Sequence, residues 1–144
     1  MEANWQEWER AIAEKGITFD RPQFTRHPSY PEIVYPINYG YINETPGEDG
    51  EELDIFVGSA PTGLVAYERT VDHMKGDTEI KLLYNCTPQE VYLVHGFLNY
   101  APELLSGRLV MRMPMTELWE RAGFWEHGER RNSQESVDNP PQSR

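Results

Sequence analysis

The chain has little of three things that would widen its range of functions. It has one cysteine, Cys86, which excludes an internal disulfide framework and a multi-cysteine zinc site. A lone cysteine suits a reducing cytosol and reads as a small apolar side chain. Basic residues are few, 13 against 24 acidic, for a formal charge of −11 and a pI near 4.7. That is the wrong sign for a protein that tracks a phosphate backbone or an anionic membrane, so nucleic acid and membrane are not expected partners. No apolar run approaches the roughly 18–20 residues of a membrane span. The start Met1-Glu2-Ala3-Asn4-Trp5 is acidic, unlike a secretion leader. The expected location is therefore cytoplasmic, and the glycosylation sequons at Asn43 and Asn85 are chance matches. There is no internal repeat.

What is present fits one globular domain of 144 residues. Residues 2–15 read as an amphipathic helix with Trp5, Trp8 and Ile12 on one face and Gly16 as a stop. Residues 1–16 thus form an N-terminal helix added to the main domain. From Ile17 to Asn85 short apolar runs alternate with turn residues, including Ile33–Tyr35, Leu53–Val57, Leu64–Val71 and Ile80–Tyr84. Thr87-Pro88-Gln89-Glu90 is a capping box, so a helix runs from Pro88 to about Tyr100. Gly107–Met113 reads as a further strand with Arg108, Val110 and Arg112 on one face, and Thr116–Ala122 as a short helix stopped by Gly123. The main domain is expected over residues 17–126. Residues 127–144 have almost nothing to bury and are expected to be a disordered tail.

The chemistry-bearing segment is Tyr35-Pro36-Ile37-Asn38-Tyr39-Gly40-Tyr41-Ile42, followed by Asp49-Gly50-Glu51-Glu52-Leu53-Asp54. Four carboxylates in six positions repel one another unless water or a cation screens them. In an extended chain Asp49 and Glu51 point the same way and can share one cation, and a turn brings Asp54 to the same place. All-oxygen ligands favour Mg²⁺, with Mn²⁺ as the alternative, over zinc. A second acidic group, Asp72-His73-Met74-Lys75-Gly76-Asp77-Thr78-Glu79-Ile80-Lys81, again leads into an apolar run. Two carboxylate clusters with cationic side chains nearby suit metal-assisted phosphoryl chemistry. Solvated turns and an edge strand are the alternative reading of these acids.

These segments resemble the soluble inorganic pyrophosphatases. The first, with Thr45, is similar to that family's Y-P-x-N-Y-G-[FY]-I…T…D-G-D-x-x-D core. Asp20-Arg21-Pro22 with Tyr30 looks like its opening strand, and Glu79-Ile80-Lys81 looks like its acid-x-Lys element. His95-Gly96-Phe97-Leu98-Asn99-Tyr100 and Gly107-Arg108 follow in the family's order, so the resemblance covers roughly Ile17 to Phe124. It implies a mainly β, α+β fold, a five-stranded OB-like barrel with flanking helices. It also implies hydrolysis of inorganic pyrophosphate to two orthophosphates with several Mg²⁺ ions. By that resemblance Asp49, Glu51, Asp54 and Asp72 hold the activating metals, and Glu79 with Asp77 serves the metal that arrives with substrate. Tyr39, Lys81 and Tyr100 contact phosphate, with Glu51 assisting deprotonation of water.

Departures from the pattern bear on rate and substrate. Glu51 stands where larger members carry aspartate, and one extra methylene moves metal or water by up to about 1 Å. Ser29 and Ala101 stand where the family usually has phosphate-binding lysines, and Arg21, Arg26 and Arg108 are the candidates to compensate. His27 and His73 read as surface residues in polar loops, and His95 as a packed or capping residue. Two other readings stay open: a hydrolase of an organic or nucleotide pyrophosphate, and a non-catalytic barrel that binds metal, a phosphate ligand or a protein. Trp5, Trp8 and the Trp119–Trp125 region pack either on the barrel or on another subunit, and a homo-oligomer is the expectation.

Overall fold

The computed structural model describes residues 3–46 and 52–124. Over these residues the chain runs α1 (Trp5–Lys15), β1 (Ile17–Arg21), β2 (Asn38–Pro46), β3 (Glu52–Val57), β4 (Leu64–Asp72), β5 (Asp77–Tyr84), α2 (Pro88–Leu98), β6 (Leu105–Met111) and α3 (Met115–Arg121). The expected class, mainly β with flanking helices, is what the chain forms. The strand count and closure differ from expectation. Six strands form one sheet in the order β1-β2-β3-β5-β4-β6, and it is not a closed barrel. Among the described residues β1 pairs only with β2 and β6 only with β4, so both remain edges.

Only β3 and β5 run parallel; the other neighbours are antiparallel. Side chains alternate along each strand, so the register sorts residues onto two faces. One face carries Phe56, Ala66 and Leu83 against Val91, Val94 and Leu98 of α2 and Leu118 of α3. The other carries Ile42, Ile55, Tyr67, Ile80 and Leu82 against Ile12, Trp5 and Trp8 of α1. With both faces covered, β4 reads as a near-continuous apolar run rather than an alternating one. A register shift between Leu64 and Ala66 puts the neighbours Val65 and Ala66 in the same core, with Leu64 in the other.

Helix α1 is held by more than its tryptophans. Arg112 Nη1 donates to Glu9 Oε2 at 2.7 Å and Nη2 to Oε1 at 3.2 Å, and the guanidinium lies 5.7 Å from the Trp5 ring centroid. The capping box forms as expected. Glu90 N donates to Thr87 Oγ1 at 3.1 Å, and Thr87 N to Glu90 Oε1 at 2.9 Å.

Three expected boundaries move. Ile33–Tyr35 is not a strand: it makes one isolated bridge, Val34 with Arg26, between Pro31 and Pro36, neither of which has an N–H to donate. Helix α2 stops at Leu98, where the Asn99 side chain donates from Nδ2 to the His95 carbonyl at 2.9 Å and accepts at Oδ1 from Gly107 N at 2.9 Å. Strand β6 begins at Leu105, two residues before Gly107, because β4 pairs through to Asp72↔Leu105. The expected tail, 127–144, lies outside the described residues.

Candidate functional site

The sequence places carboxylates and one lysine at matching positions of neighbouring strands. Asp54 of β3 pairs with Lys81 of β5, Lys81 with Glu68 of β4, Thr70 with Glu79, and Asp72 with Asp77. Asp54, Glu68, Asp72, Asp77, Glu79 and Lys81 therefore share one face of the sheet, the face that α2 covers. Gly40 of β2 lets β1 come close to that neighbourhood, since a Cβ there would run into the Thr18 carbonyl oxygen.

Lys81 is the hub. Its Nζ donates to Tyr39 Oη at 2.8 Å, Asp54 Oδ2 at 2.8 Å and Glu79 Oε1 at 3.0 Å, which uses all three ammonium hydrogens. Burial on its own would pull the Lys81 pKa down, but Tyr39, Asp54 and Glu79 more than offset this and hold it above the usual lysine range. Burial also pushes the Tyr39 phenol up, so it stays neutral. Burial raises Glu79, against the opposing pull of the Lys81 charge.

A second cation reaches this cluster through stacked tyrosines. Tyr35 stacks on Tyr39 with centroids 5.2 Å apart. Arg21 Nη1 donates to Tyr35 Oη at 3.1 Å, and its guanidinium lies 5.6 Å from that ring's centroid.

Other expected site residues are placed differently. Asp49 and Glu51 lie outside the described residues. Asp72 caps the β4–β5 turn, its Oδ1 accepting from Met74 N at 3.0 Å and Lys75 N at 3.1 Å. Arg26 is exposed and donates to the Pro31 carbonyl at 3.0 Å, bracing its own loop. Tyr100 is 85 % exposed just beyond α2. Arg108 is a correction: it pairs with Arg69, which pairs with Ile80, so it projects from the face opposite Lys81. The alternation of Arg108, Val110 and Arg112 was legible; the face was not, because helices cover both.

Asp54, Asp72, Asp77 and Glu79 offer only oxygen, which suits Mg²⁺ or Mn²⁺. Among the described residues, however, no three His, Cys, Asp or Glu side chains gather closely enough to hold an ion. A full ligand set would draw on Asp49 and Glu51 as well.

One pair of ionisable side chains was missed in the sequence. Glu68 is fully buried, and its Oε2 lies 2.7 Å from His95 Nδ1 of α2, so His95 is packed as expected but against a carboxylate. Among the described residues Glu68 Oε1 has no hydrogen-bond partner, and it faces Gly107, where a Cβ would come within 2.6 Å of it. Burial raises the Glu68 pKa, with His95 pulling the other way. The signal was a glutamate at a core-facing position inside the apolar run Leu64–Val71.

Among solved structures, the chain is similar to an inorganic pyrophosphatase from Neisseria gonorrhoeae, with 19 % identity, TM-score 0.41, and coverage of 53 % of this chain and 60 % of that one. It is similar to the inorganic pyrophosphatase of Helicobacter pylori at 15 % identity and TM-score 0.44, covering 74 % and 89 %. It is also similar to that of Thermus thermophilus at 17 % identity and TM-score 0.46, covering 74 % and 87 %. No curated protein matches the chain. Residues 6–75, a little under half of the chain, match the family model described as inorganic pyrophosphatase. Over that stretch the chain is similar to the inorganic pyrophosphatases.

Proposed function

We propose that the chain hydrolyses inorganic pyrophosphate in the cytoplasm, using Mg²⁺ or Mn²⁺. Water adds to one phosphorus, the bridging P–O bond breaks, and two orthophosphates leave, with the water's proton passed to a neighbouring base. The family match over residues 6–75 supports this, and the observation that carries it is the convergence of Lys81 on Asp54, Glu79 and Tyr39.

In this reading Asp49, Glu51, Asp54 and Asp72 hold the activating ions, with Asp77 and Glu79 serving an ion that arrives with substrate. A bound divalent ion supplies a Lewis acid that screens phosphate charge and makes water easier to deprotonate. The protein's own groups do the rest. Tyr39 accepts from Lys81 and stays neutral, and its O–H hydrogen, which is directed to Asp54, turns to donate to a phosphate oxygen when substrate binds. Lys81 sets the positive charge of the site where negative charge builds on the leaving phosphate. Arg21 keeps four further N–H donors beyond the one on Tyr35, in a planar fork that suits phosphate. Glu51 is the proposed proton acceptor.

The test is phosphate release from inorganic pyrophosphate by the purified chain with Mg²⁺, with Mn²⁺ and with chelator. Release that needs the metal supports the reading. No release with either metal would overturn it.

A further inference from the structure

From the Lys81 cluster outward runs a row of aromatic rings. Tyr39 stacks on Tyr35 at 5.2 Å and 26°, and Tyr35 on His27 at 6.4 Å and 11°. His27 then meets Tyr30 at 5.2 Å. Tyr35 is 7 % exposed and Tyr30 59 %, so the outer end of the row reaches solvent.

The outer end is held in place. His27 Nδ1 accepts from Ser29 N at 3.0 Å and Tyr30 N at 3.3 Å. His27 N donates to the Ile33 carbonyl at 2.8 Å, and Ile33 N to the Tyr30 carbonyl at 2.9 Å. Because Nδ1 is an acceptor, the ring is in its neutral form. Burial and the Arg21 charge both lower the His27 pKa and keep it so. Beyond Tyr39, the fixed, uncharged rings of His27 and Tyr30 cost apolar exposure and offer a small, fully anionic pyrophosphate little to bind. They suit a planar ring instead.

We infer that the site also takes organic diphosphates whose substituent is an aromatic ring, nucleoside diphosphates being the common class, with the ring stacked against Tyr30 and His27 at the end of the Tyr39–Tyr35 row. This rests on the phosphoanhydride reading above. Arg21 sits beside Tyr35, between the Lys81 cluster and the outer rings, where the substituted phosphate would pass. The chemistry is the same hydrolysis. Water attacks the terminal phosphorus and its bond to the bridging oxygen breaks. That oxygen leaves on the organic monophosphate, and orthophosphate carries away the water's oxygen.

The experiment compares phosphate release from inorganic pyrophosphate, methyl diphosphate and ADP by the intact chain with Mg²⁺ or Mn²⁺. Stacking of a base on an aromatic side chain is expected to make KM for ADP about tenfold lower than for methyl diphosphate. In Tyr30→Ala that ratio should fall toward one, and Tyr30→Phe, which keeps the ring, should restore it. Equal KM values in the parent chain, or a ratio unmoved in Tyr30→Ala, would overturn the inference while pyrophosphate turnover still upheld the reading beneath it. No phosphate from any of the three would overturn both.

Discussion

Lys81 Nζ lies 2.8 Å from Oδ2 of Asp54, its register partner across the parallel β3–β5 junction. The same ammonium reaches Glu79 two residues earlier on its own strand, at 3.0 Å. One buried cation therefore holds two carboxylates that are each open to solvent by about a third or less.

Replacing Lys81 by methionine keeps most of the side chain's length but leaves Asp54 and Glu79 facing each other uncompensated. Breaking a buried pair costs about 3–5 kcal/mol, and partial exposure of the carboxylates reduces this to about 2–4 kcal/mol. Urea unfolding at neutral pH reads the loss. The deficit should shrink as pH falls and Glu79, whose pKa burial already raises, protonates. A deficit independent of pH would mean that packing, not charge, is what Lys81 contributes.

Glu68 makes a pH-dependent contribution of definite sign. Its folded pKa is raised above the ordinary 4.5 by burial, with His95 opposing. The folded state therefore favours the protonated acid. The contribution to stability is fully present below 4.5 and is lost as pH rises through the raised folded value. The groups on its face are His95 from α2 and Lys81 from β5. Glu68→Gln is neutral throughout, so relative to it the parent chain should lose stability as pH rises from 4.5. Urea midpoints of both proteins across that range test this, and a constant difference would contradict it.

The capping box of α2 does two jobs. Glu90 Oε1 accepts from Thr87 N and from Ser59 N at 3.0 Å, while Oε2 accepts from Ser59 Oγ at 2.8 Å. Thr87→Ala removes one cap and should cost about 1 kcal/mol. Glu90→Ala also releases the loop after β3 and should cost more. Melting curves that ranked the two the other way would show that the Ser59 bonds add nothing to stability.

The legible parts of this chain were those fixed by short-range chemistry. Thr87-Pro88-Gln89-Glu90 marked the start of α2 because the cap needs only four adjacent residues. Gly16 marked the end of α1, where the backbone takes φ 78°. Asp54, Glu79 and Lys81 stood out as charges at the edges of apolar runs, and Tyr39 through its motif. What stayed hidden depends on contacts distant in sequence. Glu68 and His95 are 27 positions apart and meet only when α2 lies on β4. Arg108 was a candidate to compensate for the lysines missing at Ser29 and Ala101, and alternation along its strand shows which residues share a face, not which core that face meets. Ile33–Tyr35 has the apolar content of a strand, but the prolines on either side leave its ladder incomplete.

The central claim is that the Asp54–Lys81–Glu79 face carries the hydrolysis, and the most direct measurement is phosphate release from inorganic pyrophosphate by Asp54→Asn beside the parent chain, both with Mg²⁺. The amide is of nearly the same size and still accepts a hydrogen bond from Lys81, so circular dichroism should report the same fold. The account predicts metal-dependent turnover in the parent and its loss, at least a hundredfold on the order of a removed charge-stabilising group, in the variant. Full turnover by a folded Asp54→Asn protein would contradict it.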